Sequence, residues 1–394
     1  MKLRSIKEIR SLAGKTVLVR VDFNVDIKNG RVSEKFRLKQ AVETVKYLLK
    51  HDCRVIVMAH LGRPGGKLNH DYSLAPLVKE WRQLISPFGV KFYPGKIDAG
   101  LVGRVSADKS RLIMLDNLRF NADEEKNDRK FAEMLASMVD FYVNEAFSVS
   151  HREAASVVAI TKLLPSYAGL NLMDEVNFLS RAADPKKPAM ALIGGIKIGS
   201  KFGVIDTFVK KYDVVAVGGG IANTFFYAQG CSVGKSVVDK KCLGKIKKLS
   251  KKKILLPLDV IVTDVKTKTK KRYHKLSWGK DICEPDEMIA DVGPETIQMI
   301  TKILAGKKSI VWSGVFGDTS IPEFKKGSKQ IMTAVADQVK KKNVVGVIGG
   351  GSMIDLVFEM KKNTSLDFIS TGGGAMLEFL EQKTLVGLKS LIKK

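Results

Sequence analysis

Four arginines, Arg37, Arg63, Arg119 and Arg152, each follow or flank a junction where an apolar run gives way to a helix-like one. Guanidinium groups suit bidentate recognition of phosphate and carboxylate. One such arginine is ordinarily a surface residue, but four at comparable places point to convergence on a single anion. His60, in MAHLGRPGG, reads either as structural or as a further donor to that anion. Asp22 and Asn24 add polar groups after the first apolar run. Further on, Lys197 and Lys201 follow a glycine pair in IGGIKIGSKFGV and share a helix face at i and i+4. They are either an exposed pair or a cationic clamp on a transferring phosphate, and the glycine-rich strand end favours the clamp. A third group lies in VVGVIGGGSMIDLVFEM, residues 344–360, a buried strand, three glycines and a helix. Backbone N–H groups and the helix dipole make such a turn a phosphate cradle. Magnesium accompanying a nucleotide wants oxygen ligands. Here the first helical side chain is the hydroxyl of Ser352, with no acid beside it. Ser-His-Asp, HExxH and paired-carboxylate patterns do not emerge. Phosphoryl transfer between groups already charged needs none of them, because positioning and charge neutralisation do most of the catalysis.

The elements that must position these residues alternate. TVLVRVDF, RVIVMAH, RLIMLD and DFYVNEAF in the first half, and AMALIGG, DVVAVGGG, SIVWSG, VVGVIGGG and LDFISTGGG in the second, are strand-like runs separated by helix-like ones. That rhythm predicts parallel sheets covered on both faces, with ligands beyond the carboxyl ends of the strands. The halves differ in where glycine falls: 10 of the 34 glycines precede residue 188. One rim is therefore basic and polar, the other glycine-lined. LNLMDEVNFLSRAADPKKP, residues 170–188, reads as a connecting helix ended by Asp184 and Pro185.

Bulk properties exclude several classes. At 394 residues the chain exceeds what one core usually covers. Cys53, Cys231, Cys242 and Cys283 lack zinc or disulfide spacing. No apolar run reaches the roughly 18 residues of a membrane span, and the start MKLRSIKEIRSLAGK lacks the apolar centre of a signal peptide. A soluble, cytoplasmic protein is expected. GCSVGKS has three residues between its glycines where a P-loop needs four, and GGGIANTF lacks the third glycine of a dinucleotide fingerprint. The net charge of +26 sits largely in lysine runs such as 240–253 and 266–275, read as solvated surface. Without a recognition motif or stacking platform, specific nucleic-acid binding is not expected.

In order and spacing, VLVRVDFNV, MAHLGRPGG, LDNLRFNADEEKND, VNEAFSVSHR, IGGIKIGSK, VGGGIANTF, DVGPET and STGGGAMLEFLE resemble the phosphoglycerate kinase family over essentially the whole chain. The resemblance implies an α/β protein of two doubly wound parallel-sheet domains joined by a hinge helix. It places a 3-phosphoglycerate-binding domain at 1–169, the hinge at 170–187, a nucleotide-binding domain at 188–382, and a segment packing back on the first domain at 383–394. It implies reversible transfer between 1,3-bisphosphoglycerate and ADP giving 3-phosphoglycerate and ATP, the glycolytic reaction, with Mg²⁺, in a monomer. Asp22, Asn24, Arg37, His60, Arg63, Arg119 and Arg152 match the family's triose-phosphate residues. Lys197, Lys201 and Arg37 match those around the transferring group. Lys201, Gly218, Gly219, Gly293, Gly350 and Gly351 fall on the nucleotide side, together with three positions that depart from the pattern. Where the family has an aspartate and a hydroxyl residue after the last-but-one glycine triplet, this chain has Ser352 and Met353. Ser320 aligns with the ribose-binding glutamate, and Ser200 stands where the family has an aspartate before the second lysine. Two readings follow: a working kinase with an altered metal shell, Ser352 serving the metal by its hydroxyl or a bound water, or a binding protein with a degenerate nucleotide-metal site. Both lysines and every glycine turn remain, which favours the kinase.

Overall fold

The computed structural model describes all residues except Asn29, Ser33, Glu34, Lys197, Trp278, Lys342 and Lys394, and except the side chains of Lys28, Arg31 and Thr364. The chain divides into two compact units, Met1–Asn177 with Thr384–Lys394, and Phe178–Lys383.

In the first unit the apolar runs become a six-stranded parallel sheet, ordered Lys91–Tyr93, Leu112–Leu115, Arg54–Met58, Thr16–Arg20, Phe141–Asn144, Ser166–Ala168. Alternation along a strand sends successive side chains to opposite faces. Val17, Val19, Val55 and Val57 accordingly enter a core with Phe23, Leu38, Leu48 and Trp81. Leu18, Ile56 and Met58 enter a second core with Leu101, Phe131 and Leu135. Both faces are thus covered, as strands without polar alternation require. Helix Phe36–Lys50 buries Leu38, Ala41, Val45, Leu48 and Leu49, the 3–4 residue spacing of one helical face. Its first turn contains Arg37 and no acid, the wrong charge for the helix dipole.

Helix Leu170–Ala183 begins beneath Glu145, whose carboxylate accepts the N–H groups of Asn171 and Leu172, each at 3.0 Å. The boundary between the units falls within this helix. The last residues join the first unit: Arg4 N–H donates to Leu391 O at 2.8 Å, and Gly387 N–H to Ser150 O at 2.8 Å.

The second unit holds another six-stranded parallel sheet, ordered Ile254–Leu255, Val214–Val217, Ala189–Ile193, Ser309–Ser313, Val345–Gly349, Phe368–Ser370. It also holds an antiparallel sheet of Lys271–Lys275, Asp259–Asp264 and Glu287–Val292, which the alternating pattern does not predict. The lysine run 266–275 is partly structure. Asp264 accepts backbone N–H groups from Thr267, Lys268, Thr269 and Lys270, closing a turn into the edge strand Lys271–Lys275. The four cysteines are free and buried. Among the described residues, no helix is long and apolar enough to cross a membrane.

Candidate active site

The basic rim of the first unit is assembled from strand ends and is neutralised from below. Asp22, two residues past its strand, is 6% exposed. Its Oδ1 accepts the Asn24 N–H at 3.1 Å, while Oδ2 accepts the Ser148 hydroxyl at 2.6 Å and pairs with Arg37. This carboxylate offsets the unfavourable helix-start position of Arg37 and fixes its guanidinium. Asn24 Oδ1 accepts the Gly62 N–H at 2.9 Å, and Arg119 Nη1 donates to Gly62 O at 2.7 Å. Gly62 has φ +58°, and a Cβ there would lie 2.3 Å from the Tyr72 ring. Asn117 donates to Leu61 O at 2.6 Å and Tyr72 O at 2.9 Å. The loop carrying the exposed Arg63 is therefore pinned on both sides of that residue's neighbour. Arg119 also pairs with Glu125 at 3.2 Å, and the buried Nε of Arg152 has no hydrogen-bond partner.

His60 reports how closely these charges gather. It is 4% exposed. Burial first, then the charges of Arg20, Arg119, Arg152 and Arg37, hold its imidazole well below the ordinary histidine range. Arg37, Arg119, Arg152 and His60 are thus brought together, with a buried cation, Arg20, that the sequence pattern did not single out. Arg20 is 2% exposed, and its Nε donates to Ser156 Oγ at 3.0 Å. Ser156 in turn donates to Glu124 through its hydroxyl at 2.6 Å and its N–H at 3.0 Å. Ser148, Ser156 and Glu124 were missed for the same reason. Their partners lie 32 to 136 residues away along the chain, and no local spacing marks such a contact.

The second rim is built from backbone. Lys201 leads into helix Phe202–Lys211, and its Nζ donates to Gly194 O at 2.6 Å and Ser313 O at 3.2 Å, at the ends of two adjacent strands. Room for the ammonium comes from glycine. A Cβ on Gly314 would sit 2.6 Å from Nζ and one on Gly195 3.1 Å, and both residues have positive φ. Burial alone lowers the Lys201 ammonium to about 8. Lys197 lies outside the described residues.

Gly218 caps helix Gly219–Ala228, Gly219 has φ +58°, and Gly293 caps helix Pro294–Leu304. Gly350, at φ +103°, caps helix Gly351–Glu359, which presents the exposed Ser352 in its first turn. Met353 follows Ser352 in the same helix. Its side chain is fully buried and its N–H is taken by Gly350 O at 3.0 Å, so it belongs to the core. Ser320 is exposed but tethered, its N–H and hydroxyl donating to Asp318 Oδ1 at 3.0 and 2.6 Å. Asp318 also pairs with Lys268 at 2.7 Å. A carboxylate therefore stands two residues before the position where one was found missing. Ser200 is exposed. Among the described residues, no cluster of three or more His, Cys, Asp or Glu could hold a metal.

One parallel-sheet unit gathers guanidinium groups at its strand ends, and another ends its strands in glycine turns around a partly buried lysine. Together they define an α/β protein of the phosphotransferase class. The comparisons with known proteins specify it. The phosphoglycerate kinase family model matches residues 6–383. The phosphoglycerate kinases of Pelotomaculum thermopropionicum and Acidobacterium capsulatum are 36% identical over 401 residues and 38% identical over 411, each match covering all of both chains. The solved phosphoglycerate kinase structure from Coxiella burnetii has 32% identity and a TM-score of 0.81, and that from Pyrococcus horikoshii 26% and 0.86. Each match covers 99% of this chain and 98% of the other. The chain belongs to the phosphoglycerate kinase family. It is a kinase with a carboxyl group as acceptor, and the matches give the binding-only alternative no support.

Proposed function

We propose that the first unit binds 3-phosphoglycerate or 1,3-bisphosphoglycerate, through Asp22, Asn24, Arg37, His60, Arg63, Arg119 and Arg152, and that the second binds ADP or ATP. The observation that supports this assignment is the gathering of Arg37, Arg119 and Arg152, with Arg20, around the neutral imidazole of His60. Such a site is too cationic for an uncharged ligand. The nucleotide falls to the other rim, where Lys201 and the N–H groups at Gly219, Gly350 and Gly351 meet phosphate, while Gly218, whose own N–H donates to Ile193 O at 3.0 Å, shapes the turn. Gly293, over the buried Asp259, supports that side, and the segment from Asp318 to Ser320 meets the ribose.

In the ATP-forming direction a terminal oxygen of ADP attacks the phosphorus of the acyl phosphate. The phosphorus–oxygen bond to the carboxyl breaks, and 3-phosphoglycerate leaves as a carboxylate. That leaving group needs no proton, so the protein supplies positive charge and alignment. Lys201 and Arg37 neutralise the group in transit, with Lys197 assigned to the same task by its position in the sequence. The two rims must be brought to one phosphate, a motion assigned to the connector 170–187. Magnesium fits only as part of the nucleotide substrate. A metal that keeps most of its waters needs few protein ligands, and Ser352 offers a hydroxyl without negative charge. The protein works as a cytoplasmic monomer in this reading. A coupled assay for ATP formation from 1,3-bisphosphoglycerate and MgADP tests the proposal. Turnover is expected, and its absence at every magnesium concentration would refute it.

A further inference from the structure

Arg20 does not belong to the set of residues assigned to substrate above, yet it is the most buried cation beside that set. It closes the central strand Thr16–Arg20 and spends each arm of its guanidinium on a different partner. Nε goes to Ser156, Nη1 to Val21 O, and Nη2 lies 3.0 Å from His60 Nδ1. The last contact has only one chemical solution. Arginine carries donors and no acceptor, and it keeps its proton in proteins. The nitrogen facing it must therefore offer a lone pair, so His60 Nδ1 is unprotonated. The imidazole is also neutral, held so by burial and by surrounding guanidinium groups. Its single proton must then sit on Nε2.

From this geometry we infer that Arg20 is a positioning residue that locks His60 as the Nε2–H tautomer, and so presents one fixed, neutral hydrogen-bond donor to the triose-phosphate anion. Glu124 makes this arrangement possible. It is 2% exposed and holds Ser156, which holds Arg20, so the buried positive charge has a buried negative one behind it. A neutral donor also has a use. The anion already meets several guanidinium groups, and a second-row imidazolium would repel them, whereas Nε2–H adds a directed hydrogen bond without adding charge. The inference rests on the assignment of His60 to phosphoglycerate.

The tautomer can be read directly. The chain has only five histidines, so long-range ¹H–¹⁵N spectra of the full-length protein, with His60 assigned by subtraction of His60→Gln, resolve its two ring nitrogens. The expected wild-type spectrum at neutral pH shows an unprotonated Nδ1 and a protonated Nε2. Arg20→Met should populate Nδ1–H and weaken 3-phosphoglycerate binding about tenfold, the scale of one hydrogen bond to a charged group, while leaving MgADP binding alone. If Arg20 acts through His60, adding His60→Gln to Arg20→Met should cost almost nothing further. Nδ1–H in the wild type overturns the inference, and that reading needs no variant to fold. Retention of pure Nε2–H in Arg20→Met, or additive losses in the double variant, also overturns it. An unchanged phosphoglycerate affinity in His60→Gln would instead refute the ligand assignment beneath it, whatever the tautomer.

Discussion

The two rims are built by opposite means. On the first, charge comes from side chains, and three of the cations are held by carboxylates or carbonyls: Arg37 by Asp22, Arg119 by Glu125 and Gly62 O, Arg20 through Ser156 by Glu124. On the second, polarity comes from backbone at helix starts, and the partly buried cation described there, Lys201, donates to two carbonyl oxygens. The first rim is therefore sensitive to loss of a side chain. The second is sensitive to gain of one, because Gly195 and Gly314 leave the space that the ammonium fills. The contrast also explains how three serines can stand where acids are expected without dismantling the site. N–H groups bind phosphate whatever their side chains.

The largest effect should come from the side-chain rim. Arg37→Ala should lower turnover by about 10²-fold or more, as does loss of one preorganised donor to developing charge. Steady-state rates with both substrates saturating measure it, and unchanged turnover would remove Arg37 from the transfer step.

The partly desolvated lysine gives the second rim a pH signature. Lys201 is charged below about 8 and neutral above it. Activity should hold from neutral pH up to that point, then fall about tenfold per pH unit, the slope of a single required proton. Bound nucleotide phosphate should move the break upward, so kcat/KM for ADP, which reports the free enzyme, is the profile to record. Lys201→Arg should abolish the break, since arginine stays charged. A break that persists in that variant would assign it to another group.

The smallest effect concerns the metal. Ser352→Asp adds a carboxylate beside the cradle, and the magnesium concentration giving half-maximal rate at fixed ADP should fall. An equal or higher requirement would mean that the metal is held away from this helix.

Much of both rims was legible in the sequence. The glycine turns follow apolar runs that cannot be anything but buried strands, and Arg37, Arg119 and Arg152 mark three junctions of one sheet. What local pattern could not show is what holds them. Arg20 looks like the polar end of TVLVR, and only the fold brings Ser156 and His60 to it from 136 and 40 residues away. Met353 stands on the nucleotide side by resemblance alone, at the place of the family's hydroxyl residue, and the helix buries its side chain in the core. The lysine excess was half read. Residues 240–280 contain 15 lysines and arginines and two aspartates. Asp259 is buried and Asp264 holds its own turn, and two carboxylates cannot balance fifteen cations. Within this stretch, Lys271 and Lys275 lie on an edge strand, where charge discourages pairing with another chain.

The division of labour between the rims is tested most directly by calorimetry on two variants with two ligands. Arg152→Ala removes a guanidinium from the first rim. Gly350→Ala adds a methyl at φ +103° that meets only ordinary contacts, 3.8 Å from Gly314 N and Ser313 Oγ, so its cost is backbone strain in the cradle rather than a clash. The account predicts that Arg152→Ala weakens 3-phosphoglycerate binding about tenfold or more, on the scale of a charge-assisted contact, with MgADP unaffected. It predicts the converse for Gly350→Ala, about tenfold on MgADP for a strain of roughly 1–2 kcal/mol, with 3-phosphoglycerate unaffected. Loss of both ligands in parallel in either variant, or the two effects exchanged, would contradict it.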